Sequence, residues 1–298
     1  MTIFLLLGCI LFAVGLVTLV FSMLCVNRYL DVKTSIRDIR RELKACFSIT
    51  IGTRKSQQDA YAISPIQCGY IIKHNGLLAA VCDGMGGMQG GEIASRTCAD
   101  YILNDYIRNA DLNFNPEELL KDAMLRANKT ICTITDKTGQ TLRSGTTSTA
   151  AIVKDGILHW VSVGDSRLYM YEGGRLQQIT RDHNYYLELT RHVETQKITQ
   201  QEADSNPHAE ALISYIGMGD VRIMDSGTLD CNGEYDKVFV ICSDGLYKAL
   251  ADIEIEEIIT SELGNPQKIA DRLIKAVESK RVIRQLDNTT VAVIGYGC

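Results

Sequence analysis

Apolar and polar positions divide the chain into an uncharged stretch at its start and a long remainder with alternating patterns. Residues 3–26, IFLLLGCILFAVGLVTLVFSMLCV, contain no charged side chain. A helix of that length, at ~1.5 Å per residue, extends about 36 Å and crosses a bilayer core. A signal peptide is the alternative, but no basic residue precedes Ile3 and no A-x-A pattern follows. The pattern therefore predicts an uncleaved transmembrane anchor over residues 1–27.

The following segment, residues 28–45, is basic and amphipathic. The stretch 27–45, NRYLDVKTSIRDIRRELKA, carries six Lys or Arg side chains against three acids, and the positive-inside rule places such a flank in the cytoplasm. We therefore expect a single-pass protein of the cell membrane whose main domain is cytoplasmic. Apolar residues at 32, 36, 39 and 43 predict a one-sided helix. This helix could dock on the following domain, pair with another chain, lie on anionic lipid or remain a solvated linker.

Residues 46–298 have the pattern of one domain that mixes helices and strands. Short apolar runs between turn residues predict strands within 47–63, 69–84, 146–153, 157–164, 167–174, 176–180, 237–245 and 289–296, with a hairpin at Asn75-Gly76. Helical spacing predicts helices within 91–110, from an Asn115-Pro116 cap to about 134, over about 252–263, and, after an Asn265-Pro266 cap, over about 267–280. Residues 180–213 are polar and irregular, which is typical of an insertion over a sheet edge. Short turns between strands favour antiparallel pairing.

The composition is that of a folded domain and gives no sign of nucleic-acid binding. Hydrophobic residues make up 46% of the chain and charged residues 22%, which allows a sizeable core. A net charge of −5 offers no basic surface for nucleic acid. The ten cysteines include no CxxC pair, so neither a zinc knuckle nor a thioredoxin-like site is indicated. Several lie in apolar runs, which predicts buried free thiols in a reducing compartment.

Five aspartates end or border the predicted strands: Asp59, Asp83, Asp165, Asp244 and Asp287. Taken singly, each could be an ordinary turn residue, as Asp155-Gly156 is expected to be. Taken together, several like charges on one rim of a sheet would repel unless a cation neutralised them. Ligation by oxygen alone, without a His or Cys cluster, favours Mg²⁺ or Mn²⁺ over Zn²⁺. Gly84 would also let a backbone carbonyl approach such a metal closely.

Seven sequence blocks in order resemble the metal-dependent protein serine/threonine phosphatases of the protein phosphatase 2C type in their bacterial form. The blocks are GTRKSQQDA (52–60), DGMGGMQGGEIAS (83–95), SGTTSTAAIV (144–153), VGDSRLYMY (163–171), ITRDHNYY (179–186), CSDGLYKAL (242–250) and DNTTVAVI (287–294). The resemblance implies an α+β fold, a four-layer sandwich of two antiparallel β-sheets flanked by helices, with a two-metal site at one end. It also implies that a metal-activated water hydrolyses phosphoserine and phosphothreonine, with no covalent enzyme intermediate.

The resemblance assigns metal-binding roles to individual residues of this chain. Asp83 is implied to bridge two Mn²⁺ or Mg²⁺ ions, and the Gly84 carbonyl to hold one of them. Asp244 and Asp287 are implied to hold the other ion. Asp59 is implied to act near the metals through water.

The same resemblance identifies a further ion site, a phosphate clamp and partners. Asp165, together with Asp244, matches the site of a third, weaker ion in bacterial members. Arg54 matches the arginine that clamps the substrate phosphate, since a planar guanidinium can bind two phosphate oxygens at once. The catalytic set is then Arg54, Asp59, Asp83 and Asp244. Phosphorylated Ser/Thr proteins are the implied substrates, and a cognate Ser/Thr kinase is an implied partner.

Three features depart from the family pattern. Met88 stands where many members have a histidine proposed to protonate the leaving alkoxide, and methionine has no proton to give. Gln57 replaces a common Asn, and RQLDN (284–288) lacks the usual small residues before DN; we expect modest effects from both.

His183 is expected to be structural. Two cysteines beside motifs, Cys82 and Cys242, are expected to be small buried residues rather than nucleophiles.

Two other functions remain open from the sequence. A phosphatase fold that has lost catalysis could serve as a scaffold or sensor, although the presence of all five aspartates and Arg54 favours an enzyme. A phosphatase for small phosphometabolites would need a deep specificity pocket, which a sequence does not reveal.

Overall fold

The computed structural model of the chain describes residues 43–65, 69–86, 90–109, 114–136, 138–233 and 236–297. The predicted transmembrane anchor at 1–27, residues 28–42 of the predicted basic segment, and Met88 lie outside these ranges. None of the helices within them is long and apolar enough to cross a membrane.

The described strands form two antiparallel sheets. In chain order they are β1 (Leu43–Thr50), β2 (Asp59–Ile63), β3 (Leu77–Gly86), β4 (Ser144–Thr146), β5 (Ser148–Lys154), β6 (Ile157–Val163), β7 (Arg167–Glu172), β8 (Arg175–Gln178), β9 (Asp225–Asp230), β10 (Lys237–Cys242) and β11 (Thr289–Tyr296). The first sheet has the order β1-β11-β10-β7-β8. The second has the order β2-β3-β5-β6-β9, with β4 paired to β3. The predicted antiparallel pairing is confirmed.

Helices cover the outer faces of both sheets. They are α1 (Gly69–Asn75), α2 (Gly90–Arg108), α3 (Pro116–Ile131), α4 (Tyr185–Glu194), α5 (Gln200–Asp204), α6 (Asp244–Ala249), α7 (Asp252–Ser261) and α8 (Pro266–Ser279), with a 3₁₀ turn at Lys280–Val282. Helices α2 and α3 pack on the second sheet, and α6, α7 and α8 pack on the first. The result is the predicted sequence of layers, helix–sheet–sheet–helix.

Alternation along the central strands explains why the two sheets stack. In β3, Leu78 and Ala80 face the α2–α3 layer, whereas Leu77 and Ala79 face the other sheet. Strand β11 alternates in the same way, with Ala292 and its alternate neighbours turned towards the second sheet. Both faces of each central strand are therefore buried, because successive side chains point to opposite faces. This is why these strands read as continuous apolar runs in the sequence.

Residues 69–75 form a helix, so the predicted strand and hairpin at Asn75-Gly76 are wrong. Tertiary contacts decide the conformation here: the Asn75 side-chain amide donates to the Tyr106 carbonyl, and the Tyr106 hydroxyl donates to the Gly76 carbonyl. Gly76 has a φ of +80° and its N–H donates to the Ile72 carbonyl, which ends α1. A glycine in this conformation is as typical of a helix end as of a hairpin.

Two boundaries and two elements also differ from the prediction. Strand β1 begins at Leu43, which pairs with Tyr296, so the first sheet starts three residues before the predicted domain start at 46. Helix α3 ends at Ile131 rather than near 134. Strand β9 was not predicted because its residues are polar and partly exposed, without apolar alternation. The short helix α6 was not predicted either, although it carries one of the candidate aspartates.

Candidate active site

Asp59 and Asp83 lie opposite each other on neighbouring strands. They are paired in the β2–β3 ladder, and opposite residues in a ladder have their side chains on the same face. Two threonines hold the backbone of Asp83. Its N–H donates to Thr147 Oγ1 at 3.1 Å, and its carbonyl accepts from the Thr147 N–H at 2.8 Å and from Thr146 Oγ1 at 2.9 Å. The second sheet therefore places both residues at one rim.

The Asp59 carboxylate also connects this rim to the first sheet. Its Oδ2 accepts from Ser243 Oγ at 2.8 Å and from Thr290 Oγ1 at 2.9 Å. Its Oδ1 is buried and has no hydrogen-bond partner among the described residues. Burial of a carboxylate oxygen without a donor is costly unless another group binds it. This oxygen is therefore the one on the rim that most needs an added ligand.

Asp244 and Asp287 approach the same rim from the first sheet. Asp244 is the first residue of α6. The start of this helix packs directly on the residues before β11. The close approach is shown by Gly245, where an added Cβ would lie 2.2 Å from the Asn288 carbonyl oxygen. Lys248 Nζ lies 2.7 Å from Asp244 Oδ2. Arg54, in the loop between β1 and β2, is 59% exposed and lies 2.5 Å from Asp287 Oδ2.

Asp165 lies in the turn between β6 and β7, on the side of α6. The Tyr247 hydroxyl donates to its backbone carbonyl at 3.1 Å, which connects the turn to that helix. Burial, followed by the charge of Asp244, raises the pKa of Asp165 to about 6, and the charge of Lys248 opposes this rise. The structure thus brings all five predicted aspartates and Arg54 to one end of the sandwich.

The carboxyl groups of this rim resist ionising together. Burial is the main cause that raises the pKa of Asp59 to about 7, and the charges of Asp244 and Asp287 add to it. Burial also raises the pKa of Asp83, followed by the charges of Asp59 and Asp244. Like charges in a low-dielectric site favour the neutral acids. A bound cation would reverse this effect and keep the groups ionised.

The oxygen atoms at the rim are of the type that a hard divalent cation binds, although the side chains are not arranged to coordinate a single ion. The rim offers carboxylate and carbonyl oxygens, one of them buried and without a donor. Within the described ranges, however, no three His, Cys, Asp or Glu side chains are arranged to hold one ion. The chain's own cations explain part of this, because Lys248 pairs with Asp244 and Arg54 pairs with Asp287.

Gly84 has a different physical explanation from the one expected. A Cβ added there would lie 2.2 Å from the Gly91 carbonyl oxygen and 2.4 Å from the Gln58 carbonyl oxygen. The Gly84 N–H donates to that same Gln58 carbonyl at 3.1 Å. Glycine is therefore required because three backbone segments meet here, whether or not the Gly84 carbonyl binds a metal.

Asn288 is a positioning residue that sequence reasoning missed. It is buried, its Oδ1 accepts from the Gln58 N–H at 2.8 Å, and its Nδ2 donates to the carbonyls of Ile51 and Ser56 at 2.9 and 3.1 Å. These three bonds hold the loop that carries Arg54 against the segment that carries Asp287. The only sequence signal was its place directly after Asp287, which by itself suggests a turn.

His183 and the motif cysteines have structural environments. Gly164 N–H donates to His183 Nδ1 at 3.1 Å, so Nε2 carries the proton and donates to Asp225 Oδ2 at 3.0 Å. Burial lowers the pKa of His183, against the opposing charge of Asp225. Cys82 and Cys242 are fully buried, and burial raises the pKa of the Cys242 thiol. None of these groups is placed to attack phosphorus or to protonate a leaving group at the rim.

Comparison with known proteins identifies relatives over most of the chain. The family model for protein phosphatase 2C matches residues 51–288. The serine/threonine phosphatase stp of Listeria welshimeri is 30% identical over 226 residues, which cover 74% of this chain and 85% of that protein. The structure of the Mycobacterium tuberculosis serine/threonine phosphatase PstP/Ppp is similar, with a TM-score of 0.66 and 25% identity over 85% of this chain and 97% of the other. A structure of the PstP catalytic domain in complex with two manganese ions has a TM-score of 0.65 and 24% identity, covering 85% of this chain and 98% of the other.

Proposed function

The chain belongs to the protein phosphatase 2C family and is a protein serine/threonine phosphatase, and we propose that it is membrane-anchored and depends on divalent metal ions. Its substrates are then phosphoserine and phosphothreonine residues of cytoplasmic proteins, with a Ser/Thr kinase acting on the same proteins. The anchor would be residues 1–27, and the lack of charge in residues 3–26 supports this part of the proposal.

The observation that carries the metal dependence is the crowding of carboxyl groups at one rim. Burial and mutual repulsion raise the pKa values of Asp59 and Asp83 together, and a buried oxygen of Asp59 has no partner among the described residues. A cluster of buried carboxyl groups that repel one another when ionised is stabilised by binding cations. The family relative with two manganese ions supports Mn²⁺ or Mg²⁺ as those cations.

Each residue at the rim has a distinct proposed part. Asp83 would bind both ions, the Gly84 carbonyl would help to hold one of them, and Asp244 with Asp287 would hold the other. A bound pair of divalent cations would offset the charge of a phosphate ester and lower the pKa of a water.

Other side chains of the chain orient these groups and the substrate. Ser243 and Thr290 fix Asp59 through two hydrogen bonds, so that its second oxygen remains directed at the rim. Asp165, together with Asp244, would hold a third and weaker ion. Arg54 is exposed beside Asp287, and its guanidinium would bind two oxygens of the phosphoryl group and orient it.

A scaffold or sensor without catalysis is the second candidate function. The Arg54–Asp287 and Lys248–Asp244 ion pairs favour it, since they use two candidate metal ligands. Mn²⁺ would have to displace these cations in an active enzyme. The completeness of the aspartate set favours the enzyme.

Hydrolysis of a phosphothreonine peptide by the full-length chain tests the proposal. We expect turnover with Mn²⁺ and none after a chelator is added, together with a higher unfolding temperature when Mn²⁺ is present. The thermal measurement reports metal binding without relying on activity. Metal-induced stabilisation without turnover would identify the scaffold, whereas turnover that survives the chelator would refute the metal dependence.

A further inference from the structure

The turn before Asp287 departs from the family pattern, and it forms the wall of a cavity beside the proposed phosphate clamp. The cavity has a volume of about 470 Å³ and lies between α6 and the segment 284–287. Its charged lining residues are Arg54, Lys248, Arg284 and Asp287, which are three cations and one carboxylate. The chain as a whole has a net charge of −5. The positive charge of this cavity is therefore local.

Arg284 differs from the other two cations in its carboxylate environment: Glu254, whose pKa is lowered mainly by Lys280 and also by the charge of Arg284, is paired with Lys280. Arg54 is paired with Asp287, and Lys248 with Asp244 and Glu210. Among the described residues, no ion pair is formed by Arg284, and one of its terminal nitrogens donates to the Ala249 carbonyl at the end of α6. A guanidinium carries five N–H donors. Several donors are thus available to a group that enters the cavity, and the Ala249 bond keeps the side chain in place.

We propose that this cavity is a substrate subsite for a second anionic group, held by Arg284. The proposal rests on the proposed phosphatase function, because it places the anion on the same peptide segment as the phosphorylated residue. Arg54 belongs both to the phosphate clamp and to the cavity wall, so the two anions would lie within a few residues of each other in the substrate. The group is a carboxylate of Asp or Glu, or a second phosphate, since both offer oxygens to a guanidinium.

The concave shape favours a peptide over a membrane surface. Val282 and Ile283, at the tip of the same turn, are 92% and 76% exposed. Basic and apolar residues together could also contact anionic lipid. A bilayer surface, however, would meet the exposed tip and would not enter a cavity between α6 and residue 284. A side chain of an extended peptide can enter it.

The preference of the full-length chain among related phosphopeptides tests the subsite directly. Three phosphothreonine peptides are compared: one with neutral flanks, one with Glu within three positions on both sides, and one with a second phosphothreonine. We expect kcat/KM to favour both anionic peptides by about fivefold, the size of one partly exposed charge pair. The preference should fall as salt is raised to about 0.5 M. A preference for the doubly phosphorylated peptide alone would identify phosphate as the source of the anion.

Arg284→Gln removes the charge and keeps a side chain of similar length. We expect it to reduce the ratio of kcat/KM values to about one. Arg272→Gln, on the outer helix α8, removes an arginine that is also exposed and is paired with Glu262, and it should keep the wild-type ratio. Loss of catalysis would lower kcat/KM for every peptide equally, so the ratio distinguishes the subsite from the catalytic machinery.

Three results would overturn the subsite. One is a wild-type ratio near one, and another is an unchanged ratio in Arg284→Gln. The third is that Arg284→Gln weakens the preference for binding phosphatidylserine over phosphatidylcholine vesicles and leaves the peptide ratio unchanged. This result would make the turn a membrane contact. If no peptide is hydrolysed, the proposed function fails. The dissociation constants of fluorescent versions of the peptides then still test whether the subsite exists. Equal constants for the acidic and neutral peptides would refute the subsite.

Discussion

Replacing Asn288 with alanine tests whether one buried amide holds the phosphate-clamp loop in place. The substitution removes three hydrogen bonds, from the Gln58 N–H and to the carbonyls of Ile51 and Ser56. The freed groups lie at a partly exposed loop and can bind water, so each bond is worth about 1 kcal/mol net. The total is about 3 kcal/mol of unfolding free energy. For a domain of this size, that corresponds to a fall of roughly 6–12 °C in the unfolding temperature.

Activity should fall for a separate reason. The released loop carries Arg54, which is proposed to orient the phosphoryl group, and a displacement of about 1 Å at such a group can cost up to about a hundredfold. We expect kcat/KM on a phosphothreonine peptide to fall by about ten- to a hundredfold. Thermal unfolding followed by circular dichroism and steady-state kinetics measure the two effects in the same preparation.

Asn265→Ala is the matched control. Asn265 caps α8 with a single bond, its Oδ1 accepting from the Lys268 N–H at 3.1 Å, so its loss should cost about 1 kcal/mol and leave kcat/KM unchanged. Asn288→Asp keeps the acceptor for Gln58 but places a carboxylate oxygen against the carbonyls of Ile51 and Ser56, so it should be at least as destabilising as Asn288→Ala. If Asn288→Ala unfolds within about 2 °C of wild type and retains its kcat/KM, the positioning role of Asn288 is refuted.

Three further predictions concern the rim and the undescribed Met88. Asp244→Asn should lower turnover by orders of magnitude and weaken Mn²⁺ binding measured by calorimetry, with the fold retained; near-normal turnover would falsify its assignment as a ligand. Asp59 has a folded-state pKa raised to about 7 by burial, above the value of about 3.9 for an exposed Asp. The folded state therefore holds this proton more tightly, and the metal-free chain should lose up to a few kcal/mol of stability as pH rises from about 4 to 7. Denaturant titrations should show a smaller loss in Asp59→Asn, and an equal loss in both proteins would contradict the assigned cause. Met88→His should raise the rate on phosphoserine more than on an activated aryl phosphate if protonation of the leaving group limits the reaction; equal effects on both substrates would exclude that limit.

Signals that are local in the sequence predicted their elements well. The Asn115-Pro116 and Asn265-Pro266 caps begin helices as predicted, because the Asn115 side chain accepts from two backbone N–H groups of the first turn and the Asn265 side chain from one. Asp155 and Gly156 have φ values of 51° and 77°, which confirms the tight turn between β5 and β6. Such signals depend only on neighbours within a few residues. All the residues that determine a cap or a tight turn are therefore visible together in the sequence.

The same local signals were wrong where distant residues decide the conformation. Asn75-Gly76 is consistent with either a hairpin or a helix end, and contacts with Tyr106 select the helix end. Gly84 was singled out for a carbonyl that could approach a metal, which stays a prediction; the structure adds another reason for glycine, because the carbonyls of Gln58 and Gly91 lie where a Cβ would be. Neither contact is visible in the sequence around these glycines.

The available chemistry could be inferred from the amino-acid sequence, since five aspartates beside apolar runs and the family blocks already indicated a metal-dependent phosphatase. How those groups are held depends on the three-dimensional fold. Asp59 is fixed by Thr290, which is 231 positions away, and Asn288 reaches Ile51 across 237 positions. The Arg284 cavity likewise exists only because α6 packs beside the segment before β11. Strand pairing brings together residues from opposite ends of the chain, and no local pattern specifies which of them will meet.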